Sequence, residues 1–471
     1  MPSRIAIREF EELYCGEQTV RRDKVYLSKV AYNNLRKSIL DESTEADISK
    51  VLSIHSRHKK EFIKASKYVG VIQTSDGTTI EILPKIYSAP LDNHNDNVQA
   101  CGLEQSKQIF LSMLKHFTDE NGVSFQVASL DARDDFPILE AYISHYLREL
   151  ETLIKHGLKK DYRRIEEVSN CLKGKLVVQK QAALNAKDRT KFVVNHYKYQ
   201  EDIPQNRILM STLKKLHTLT HNPSNAQRIL SIQAMMDEIP CSSNIEQDFV
   251  FALSSNRLFI EYRQLLEWSR LFLFNKGFVT FSGKHINQSF LFPADKLFES
   301  YMAYLVKKYL SNEYKVFTQD RRHYLVEDHM GNSLFNLRPD IYLERRDNSR
   351  TDLPEMVIID TKWKRIDENN HKGYNIDQGD MYQMFAYGKK YNKNGAVPNM
   401  VLLYPYCETF TTTLSSFIYD FKNDEIGLNV VVSSFNLADK EKYESMLQNI
   451  IHIAGQSKEI KQRLENADSE I

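Results

Sequence analysis

Three polar residues in the last third of the chain have the types and the order of a hydrolytic centre. Asp340 follows Pro339, and Asp360 is separated from Lys362 by a single threonine. Carboxylates suit Mg²⁺ and Mn²⁺, and a bound divalent cation polarises a phosphoryl oxygen and activates water. A lysine beside that cation can orient or help deprotonate the water and can offset charge on phosphorus. The three residues therefore predict hydrolysis of phosphodiester bonds.

The two segments that carry these residues alternate in the manner of strands, whose side chains point to opposite faces in turn. On the first segment the face predicted to join the core holds Phe335, Leu337, Pro339, Ile341 and Leu343. The opposite face holds Asn336, Arg338, Asp340 and Tyr342. On the second segment one face holds Met356, Ile358, Asp360, Lys362 and Lys364. Alternation places the Cα atoms of Asp360 and Lys362 roughly 7 Å apart on that face. We therefore expect the two aspartates to converge from adjacent strands.

Asp340 and Asp360 are the predicted metal ligands, and the backbone carbonyl of Thr361 is a further oxygen within reach. A helix is predicted over residues 294–310, and Glu299 lies at the edge of its apolar stripe. Glu299 is either a third carboxylate of the metal site or an ordinary surface residue. The core stripe of this helix is predicted to be Phe298, Met302 and Leu305.

A second helix, predicted over residues 378–391, brings further polar groups behind the strands. Asp380, Gln383 and Tyr387 recur at helical spacing and therefore share one side of the helix. Gln383 and Tyr387 are the residues predicted to hold a substrate phosphate. The packed side of the same helix is predicted to consist of Met381, Met384, Phe385 and Gly388.

The composition indicates a soluble protein with more than one domain. The chain has 471 residues, 42% of them hydrophobic, and a net charge of +1. This balance excludes a polycation that would coat DNA unaided, so contact with phosphates must come from local patches or from a partner. No apolar run is long enough to span a bilayer. Five scattered cysteines and the lack of an N-terminal apolar segment indicate a cytoplasmic location.

The predicted fold class is α/β (α+β), with a main boundary near Gly283. Residues 1–283 are expected to be a mixed β/α region with a helical part from about residue 160. A hairpin around Asp76 and Gly77 is its clearest element. Residues 284–471 are expected to form a mixed sheet flanked by helices, because helix and strand patterns alternate along them.

The motifs together resemble a known group of nucleases. Asp340, Asp360-Thr361-Lys362 and Gln383-Met384-Phe385-Ala386-Tyr387 resemble the PD-(D/E)xK superfamily, in its branch with a Gln-x-x-x-Tyr helix. Further similarity lies outside these motifs, and it points to the McrC family. It is carried by the 69–85 hairpin, the turn Leu172-Lys173-Gly174-Lys175, the helix start Asp202-x-x-x-Asn206, and Phe298-Glu299.

The resemblance implies a Mg²⁺-dependent DNA endonuclease subunit of a modification-dependent restriction system, with Mn²⁺ as an alternative cation. It implies a restriction-endonuclease-like fold for residues 284–471. It also implies that residues 1–283 dock into an McrB-like AAA+ GTPase ring, which recognises methylated DNA, and stimulate its GTP hydrolysis. GTP would then act only through the partner. The chain agrees on one point, since it contains no Gly-x-x-x-x-Gly-Lys-[Ser/Thr] phosphate loop.

Two other functions remain open from the sequence. One is an assembly factor that activates the GTPase ring, with weak or no cleavage, because residues 1–283 contain no recognisable catalytic set. The other is a DNA-repair nuclease of the same superfamily that acts alone.

Overall fold

The structure is a computed structural model of the full chain. It describes residues 4–16, 20–21, 24–40, 48–86, 96–117, 137–182, 190–254, 257–274, 286–347, 349–350, 352–392, 397–414, 417–419 and 428–468. The Gly283 position lies outside these residues.

The chain divides into two compact units. One consists of Met1–Ala128 together with Leu291–Ile471, and the other is Ser129–Phe290. The sequence predicts a single boundary near Gly283, with residues 1–283 on one side of it. The structure instead groups the first 128 residues with the C-terminal part of the chain. Long-range contacts explain it, because Lys67 forms an ion pair of 3.1 Å with Asp295 and the hydroxyl of Ser300 donates to the carbonyl of His116 at 3.3 Å. Such contacts leave no trace in local sequence patterns.

The N-terminal part of the first unit is rich in strands. Its elements are β1 (Arg4–Arg8), β2 (Glu12–Cys15), β3 (Val20–Arg21), β4 (Lys24–Leu27), α1 (Lys29–Leu40), α2 (Ile48–Val51), β5 (Leu52–Arg57), β6 (Lys60–Ala65), β7 (Tyr68–Thr74), β8 (Thr79–Leu83) and α3 (Asp96–Lys115). One sheet has the order β3-β4-β2-β6-β5, while β1 pairs in parallel with β8. β7 and β8 pair antiparallel across Asp76 and Gly77, which confirms the predicted hairpin.

The second unit is mainly helical and carries a three-stranded sheet. Its elements are α4 (Ile138–His156), β9 (Asp161–Ser169), β10 (Lys175–Leu176), α5 (Val178–Ala182), β11 (Phe192–Gln200), α6 (Pro204–Leu219), α7 (Pro223–Met235), α8 (Ile245–Ser254), the 3-10 helix Arg257–Tyr262 and α9 (Arg263–Phe274). The sheet order is β10-β11-β9. β9 and β11 form a long antiparallel ribbon, and most of their side chains are wholly or partly exposed.

The C-terminal part of the first unit contains the predicted mixed sheet. Its elements are β12 (Ile286–Pro293), α10 (Ala294–Leu310), β13 (Tyr314–Thr318), β14 (His323–Glu327), β15 (Ser333–Leu337), β16 (Ile341–Arg345), β17 (Met356–Thr361), α11 (Gln378–Lys390), β18 (Asn399–Pro405), β19 (Phe417–Ile418), β20 (Asn429–Phe435), the 3-10 helix Lys440–Lys442 and α12 (Tyr443–Asp468). β12 begins before the division at Phe290 and Leu291 and ends after it.

Six strands in the order β13-β16-β17-β18-β20-β19 form this sheet, which confirms the α/β (α+β) class. The central strands β17, β18 and β20 run parallel, while β13 and β16 run antiparallel to their neighbours. Helix α11 covers one face through Met384 and Tyr387, and α10 and α12 contact each other and further strands of the sheet.

The prediction of one strand through Asp340 is wrong in one respect. Residues 335–343 do not form one continuous strand, because β15 pairs only with β14 and β16 belongs to the six-stranded sheet. Phe335 lies within β15 but has a φ of 58°, so β15 is irregular there, and its side chain is exposed rather than in the core. Tyr342, predicted to face away from the core, is buried because helices cover both sides of the sheet.

The packing of α11 on the sheet leaves no room for a side chain at Gly388. A Cβ there would lie 2.6 Å from Cδ2 of Leu428 and 3.0 Å from the end of Met400. We expect Gly388→Val to lower the free energy of unfolding by about 1–3 kcal/mol, since overpacking displaces both side chains. Chemical denaturation would measure the loss. Lys390→Val, at an exposed position of the same helix, is the control, and equal effects of the two substitutions would contradict the close approach.

Candidate active site

The two predicted aspartates lie opposite each other at one end of the β16–β17 pair. Ile341 pairs with Ile359 in antiparallel register, so continuing the pairing by one residue places Asp340 across from Asp360. Asp360 is the penultimate residue of β17 and its exposed fraction is 1%. The convergence comes from β-pairing, although Asp340 itself precedes β16.

Lys362 follows β17 and contacts three polar side chains. Its Nζ atom lies 2.6 Å from Oδ2 of Asp360 and 3.7 Å from Oδ1 of Asp380. It also donates a hydrogen bond of 2.8 Å to Oε1 of Gln383. The structure thus brings Asp360 and Lys362 into contact, in agreement with the alternation along the segment, and it places α11 beside them.

Asp340 is held by groups from two further elements. Its Oδ2 accepts hydrogen bonds from the backbone N–H of Thr361 at 2.8 Å and from the Thr361 hydroxyl at 2.7 Å. Its Oδ1 accepts from Nε2 of Gln319 at 3.2 Å, and the same Nε2 donates to Glu299. Lys296 completes the group through an ion pair of 3.1 Å with Glu299. Gln319 therefore links the predicted third carboxylate to Asp340.

Gln383 and Tyr387, the pair predicted to hold a substrate phosphate, are hydrogen-bonded to each other beside Lys362. Nε2 of Gln383 donates to the hydroxyl of Tyr387 at 2.7 Å, while its Oε1 accepts from Lys362. Tyr387 is buried in the sheet core, and Phe385, predicted to pack there, is exposed. The predicted packed side of α11 is corrected accordingly, because the helix turns Tyr387 inward. The Tyr387 hydroxyl orients Gln383.

The family comparison covers most of the chain. A family model described as McrBC 5-methylcytosine restriction system component matches residues 63–405. The chain belongs to this McrBC family. The matched range includes Glu299, Asp340, Asp360, Lys362, Gln383 and Tyr387. No curated protein matches the chain.

Solved structures show that the fold of this McrBC-family chain is shared. A chain of the refined half-complex from the tetradecameric assembly of Thermococcus gammatolerans McrB AAA+ hexamers with bound McrC matches with a TM-score of 0.61 and 17% sequence identity. The match covers 95% of this chain and 100% of that chain. The cryo-EM structure of the Thermococcus gammatolerans McrBC complex matches with a TM-score of 0.45 and 19% identity, over 65% of this chain and 88% of that chain. None of the helices in the described part of the chain is both long and apolar enough to cross a membrane.

Burial and mutual repulsion raise the pKa values of the carboxylates in this McrBC-family site. Burial first, and the neighbouring Asp340 charge second, raise the pKa of Asp360 and that of Glu299 to about 7. Burial also raises the pKa of Asp340, although the hydrogen bonds from Thr361 oppose the rise. Burial lowers the pKa of Lys362, but Asp360 and Asp380 more than offset this and raise it. Lys362 is therefore an ammonium ion at neutral pH.

The donor set fits a hard divalent cation. Asp340 and Asp360 lie at opposed positions of the strand pair and both supply carboxylate oxygens. The Asp340 charge contributes to the raised pKa of Asp360, and such repulsion is the kind that a cation relieves. Within the described ranges, no group of three or more His, Cys, Asp or Glu side chains is arranged to hold a metal ion. A cation would thus rest on the two aspartates with Thr361, while Glu299 is bound to Gln319 and Lys296.

Three residues of the site, Lys296, Gln319 and Lys364, were not assigned a role from the sequence. Lys364 forms an ion pair of 2.8 Å with Asp380, and the Asp380 carboxylate also accepts from the hydroxyl of Tyr404 at 3.4 Å. Lys364 could have been assigned to the site from the sequence, because strand alternation places Lys364 on the same face as Asp360 and Lys362. Gln319 has no local signal, because it comes to Asp340 through the pairing of β13 with β16.

The raised pKa of Asp360 predicts a pH-dependent stability. A carboxyl whose folded pKa exceeds its unfolded value stabilises the fold below the unfolded pKa and loses this contribution as pH rises to the folded pKa. Without divalent cations, stability should therefore fall between about pH 4 and about pH 7. Asp360→Asn should raise the melting temperature at pH 8 by about 2–4 °C and change it little at pH 5.

Thermal unfolding in EDTA across this pH range would measure the effect. Asp352→Asn is the matched control, because Asp352 is exposed and its pKa is lowered by Arg350, so its loss should not stabilise the protein at pH 8. Parallel pH profiles for the wild type and Asp360→Asn would contradict the assigned shift.

Proposed function

We propose that this chain is the McrC-like nuclease subunit of a restriction system, a Mg²⁺-dependent DNA endonuclease. The observation that carries the proposal is the contact of Lys362 with Asp360, opposite Asp340 at the end of the β16–β17 pair. This arrangement combines two carboxylates with the ammonium group of Lys362 and the side-chain amide of Gln383. Family membership supports the restriction system.

Asp340 and Asp360 would hold the cation, which when bound supplies Lewis-acid polarisation of a phosphoryl oxygen and a more acidic water. Lys362 orients water and stabilises negative charge developing on the phosphate, because its raised pKa keeps it protonated. The charged state disfavours a role as the base that removes the proton from water. Gln383 fixes the ammonium group through Oε1 and is itself fixed by Tyr387. As a half-buried side chain, Gln383 remains the candidate for direct contact with a phosphate.

Substitution of the central pair tests the nuclease assignment. Asp360→Asn and Lys362→Met should each lower DNA cleavage by about 10²–10³-fold, since each removes electrostatic stabilisation in a desolvated site. Cleavage of methylated plasmid by the chain with an McrB-like partner, GTP and Mg²⁺ would measure this. EDTA should abolish the wild-type activity.

Lys372→Met, at an exposed position of the loop after Lys362, is the matched control and should cleave like the wild type. Cleavage retained by Asp360→Asn in a folded complex would remove the assignment. Efficient cleavage by the chain alone, without partner or GTP, would favour the stand-alone repair nuclease.

We also propose that the substrate is methylated DNA and that the partner is an McrB-like AAA+ GTPase ring, through which alone GTP acts. The family supports a place in a 5-methylcytosine system, and the lack of a phosphate-loop motif in these 471 residues is consistent with a nucleotide motor on another chain. The matched half-complex consists of McrB AAA+ hexamers with bound McrC, which is consistent with such a partner.

A specific surface favours the second function, activation of that partner. The β9–β11 ribbon places three exposed tyrosines on one face, with exposed fractions of 65% for Tyr162, 68% for Tyr197 and 58% for Tyr199. Tyr162 pairs with Tyr199, and their ring centroids are 5.0 Å apart. Exposed tyrosines in a contiguous group are typical of protein interfaces. This tyrosine face is the proposed docking surface for the ring.

The triple variant Tyr162→Ser, Tyr197→Ser, Tyr199→Ser should lower stimulation of the partner's GTPase at least about tenfold, because interface tyrosines contribute about 2 kcal/mol or more when central. GTP hydrolysis against titrated chain would measure this. Val250→Ser with Ile260→Ser removes exposed apolar side chains elsewhere in the same unit and is the control. Unchanged GTPase stimulation together with weakened DNA binding would assign the tyrosine face to DNA.

A further inference from the structure

The residue between the two lysines of the site points away from them. Lys362 contacts Asp360 and Gln383, and Lys364 contacts Asp380. Trp363 is instead buried on the other side of the segment. Its Nε1 donates a hydrogen bond of 2.9 Å to Oε2 of Glu9, and the rings of Trp363 and Phe298 have centroids 5.3 Å apart.

Glu9 is an unusual acceptor for this bond, because it is a buried carboxylate with an exposed fraction of 3%. It follows β1, where its N–H donates to the carbonyl of Leu83 at 3.0 Å. Burial raises the pKa of Glu9 to about 7, which the hydrogen bond from Trp363 and the charge of Lys85 only partly oppose. Its Oε1 is buried with no hydrogen-bond partner among the described residues. Such a group is unfavourable in a protein interior unless it makes a needed contact.

The contact spans the chain from its ninth residue to the candidate active site. Trp363 is adjacent to Lys362, and Phe298 is adjacent to Glu299. One indole ring therefore adjoins both segments that bring charged groups to Asp340 and Asp360. A displacement of about 1 Å at such a position is enough to slow a positioned reaction by about a hundredfold.

We propose that Glu9 is a positioning residue of the candidate active site, which acts by holding the Trp363 indole so that Lys362 stays against Asp360 and Gln383. This inference rests on the proposed nuclease function. It assigns the N-terminal β1–β8 region a part in completing the site, in addition to any role in partner binding. A fragment of residues 284–471 would then lack a component of the site.

The kinetic test compares three substitutions in the full chain with its partner. Glu9→Leu removes the acceptor at similar size, Glu9→Gln keeps an oxygen that accepts from the indole N–H, and Trp363→Phe removes the donor but keeps a ring against Phe298. We expect Glu9→Leu and Trp363→Phe to lower kcat for DNA cleavage at least tenfold with KM changed less than twofold. Glu9→Gln should retain at least half of the wild-type kcat.

The double variant Glu9→Leu, Trp363→Phe should be no slower than Trp363→Phe, since both act through one hydrogen bond. Glu12→Leu, a nearby glutamate that contacts Tyr14 and Arg57 rather than Trp363, is the control. Additive losses in the double variant, or equal losses in Glu9→Gln and Glu9→Leu, would overturn the proposal.

Two readouts do not require cleavage. The chain has two tryptophans, so Trp363→Phe assigns the Trp363 indole N–H resonance, which should move upfield and exchange faster with solvent in Glu9→Leu. Acetylation of Lys362 at fixed pH, followed by mass spectrometry, should accelerate severalfold in Glu9→Leu but not in Glu9→Gln, because its side chain is only 17% exposed. Lys372 is the internal reference.

An unchanged indole resonance or unchanged Lys362 acetylation in Glu9→Leu would overturn the proposal. If the wild type does not cleave DNA but Lys362 acetylation follows the expected pattern, the nuclease function fails and the positioning by Glu9 stands.

Discussion

The structure around the candidate site depends on one electrostatic constraint, the placement of half-buried Asp340 opposite buried Asp360 at the end of one strand pair. Two like charges away from water repel each other, and this repulsion adds to the desolvation that raises their pKa values. The neighbouring groups reduce that penalty. Thr361 and Gln319 donate hydrogen bonds to Asp340, and Lys362 provides a positive charge to Asp360. A divalent cation, as proposed for this site, would stabilise both carboxylates further in their charged forms.

The fold supplies these groups from elements that are distant in sequence. β17 is a central strand of the six-stranded sheet, and ligand sites of mixed α/β sheets commonly lie beyond the carboxyl ends of the parallel strands. The site lies there, so Lys362 and Lys364 follow directly from β17. Helix α11 brings Asp380 and Gln383 to the two lysines, and Lys296 pairs with Glu299 on α10. The site therefore contains four carboxylates and three ammonium groups in close proximity, and their opposite charges reduce the repulsion among the carboxylates. The carboxylates are those of Glu299, Asp340, Asp360 and Asp380, and the ammonium groups are those of Lys296, Lys362 and Lys364.

The division of the chain differs from a simple order of binding module and cutting module. The first 128 residues belong to the same compact unit as the six-stranded sheet, and the helical unit is inserted between them in the sequence. The contact of Glu9 with Trp363 lies within this unit. The exposed tyrosine face, by contrast, lies wholly in the inserted unit. Glu9, the proposed positioning residue, and the proposed docking surface therefore lie in different units of the chain.

Local patterns in the sequence were sufficient for the elements that depend on near neighbours. They determined helices α10 and α11, the β7–β8 hairpin and the shared side of Asp360 and Lys362, because turn chemistry and side-chain periodicity act over a few residues. The motif residues also pointed to the family. Tertiary structure alone decided the break between β15 and β16, the inward turn of Tyr387, and the approach of Gln319 and Glu9 to the site. These features depend on pairing and burial between segments up to 354 residues apart, for which a single sequence contains no local signal.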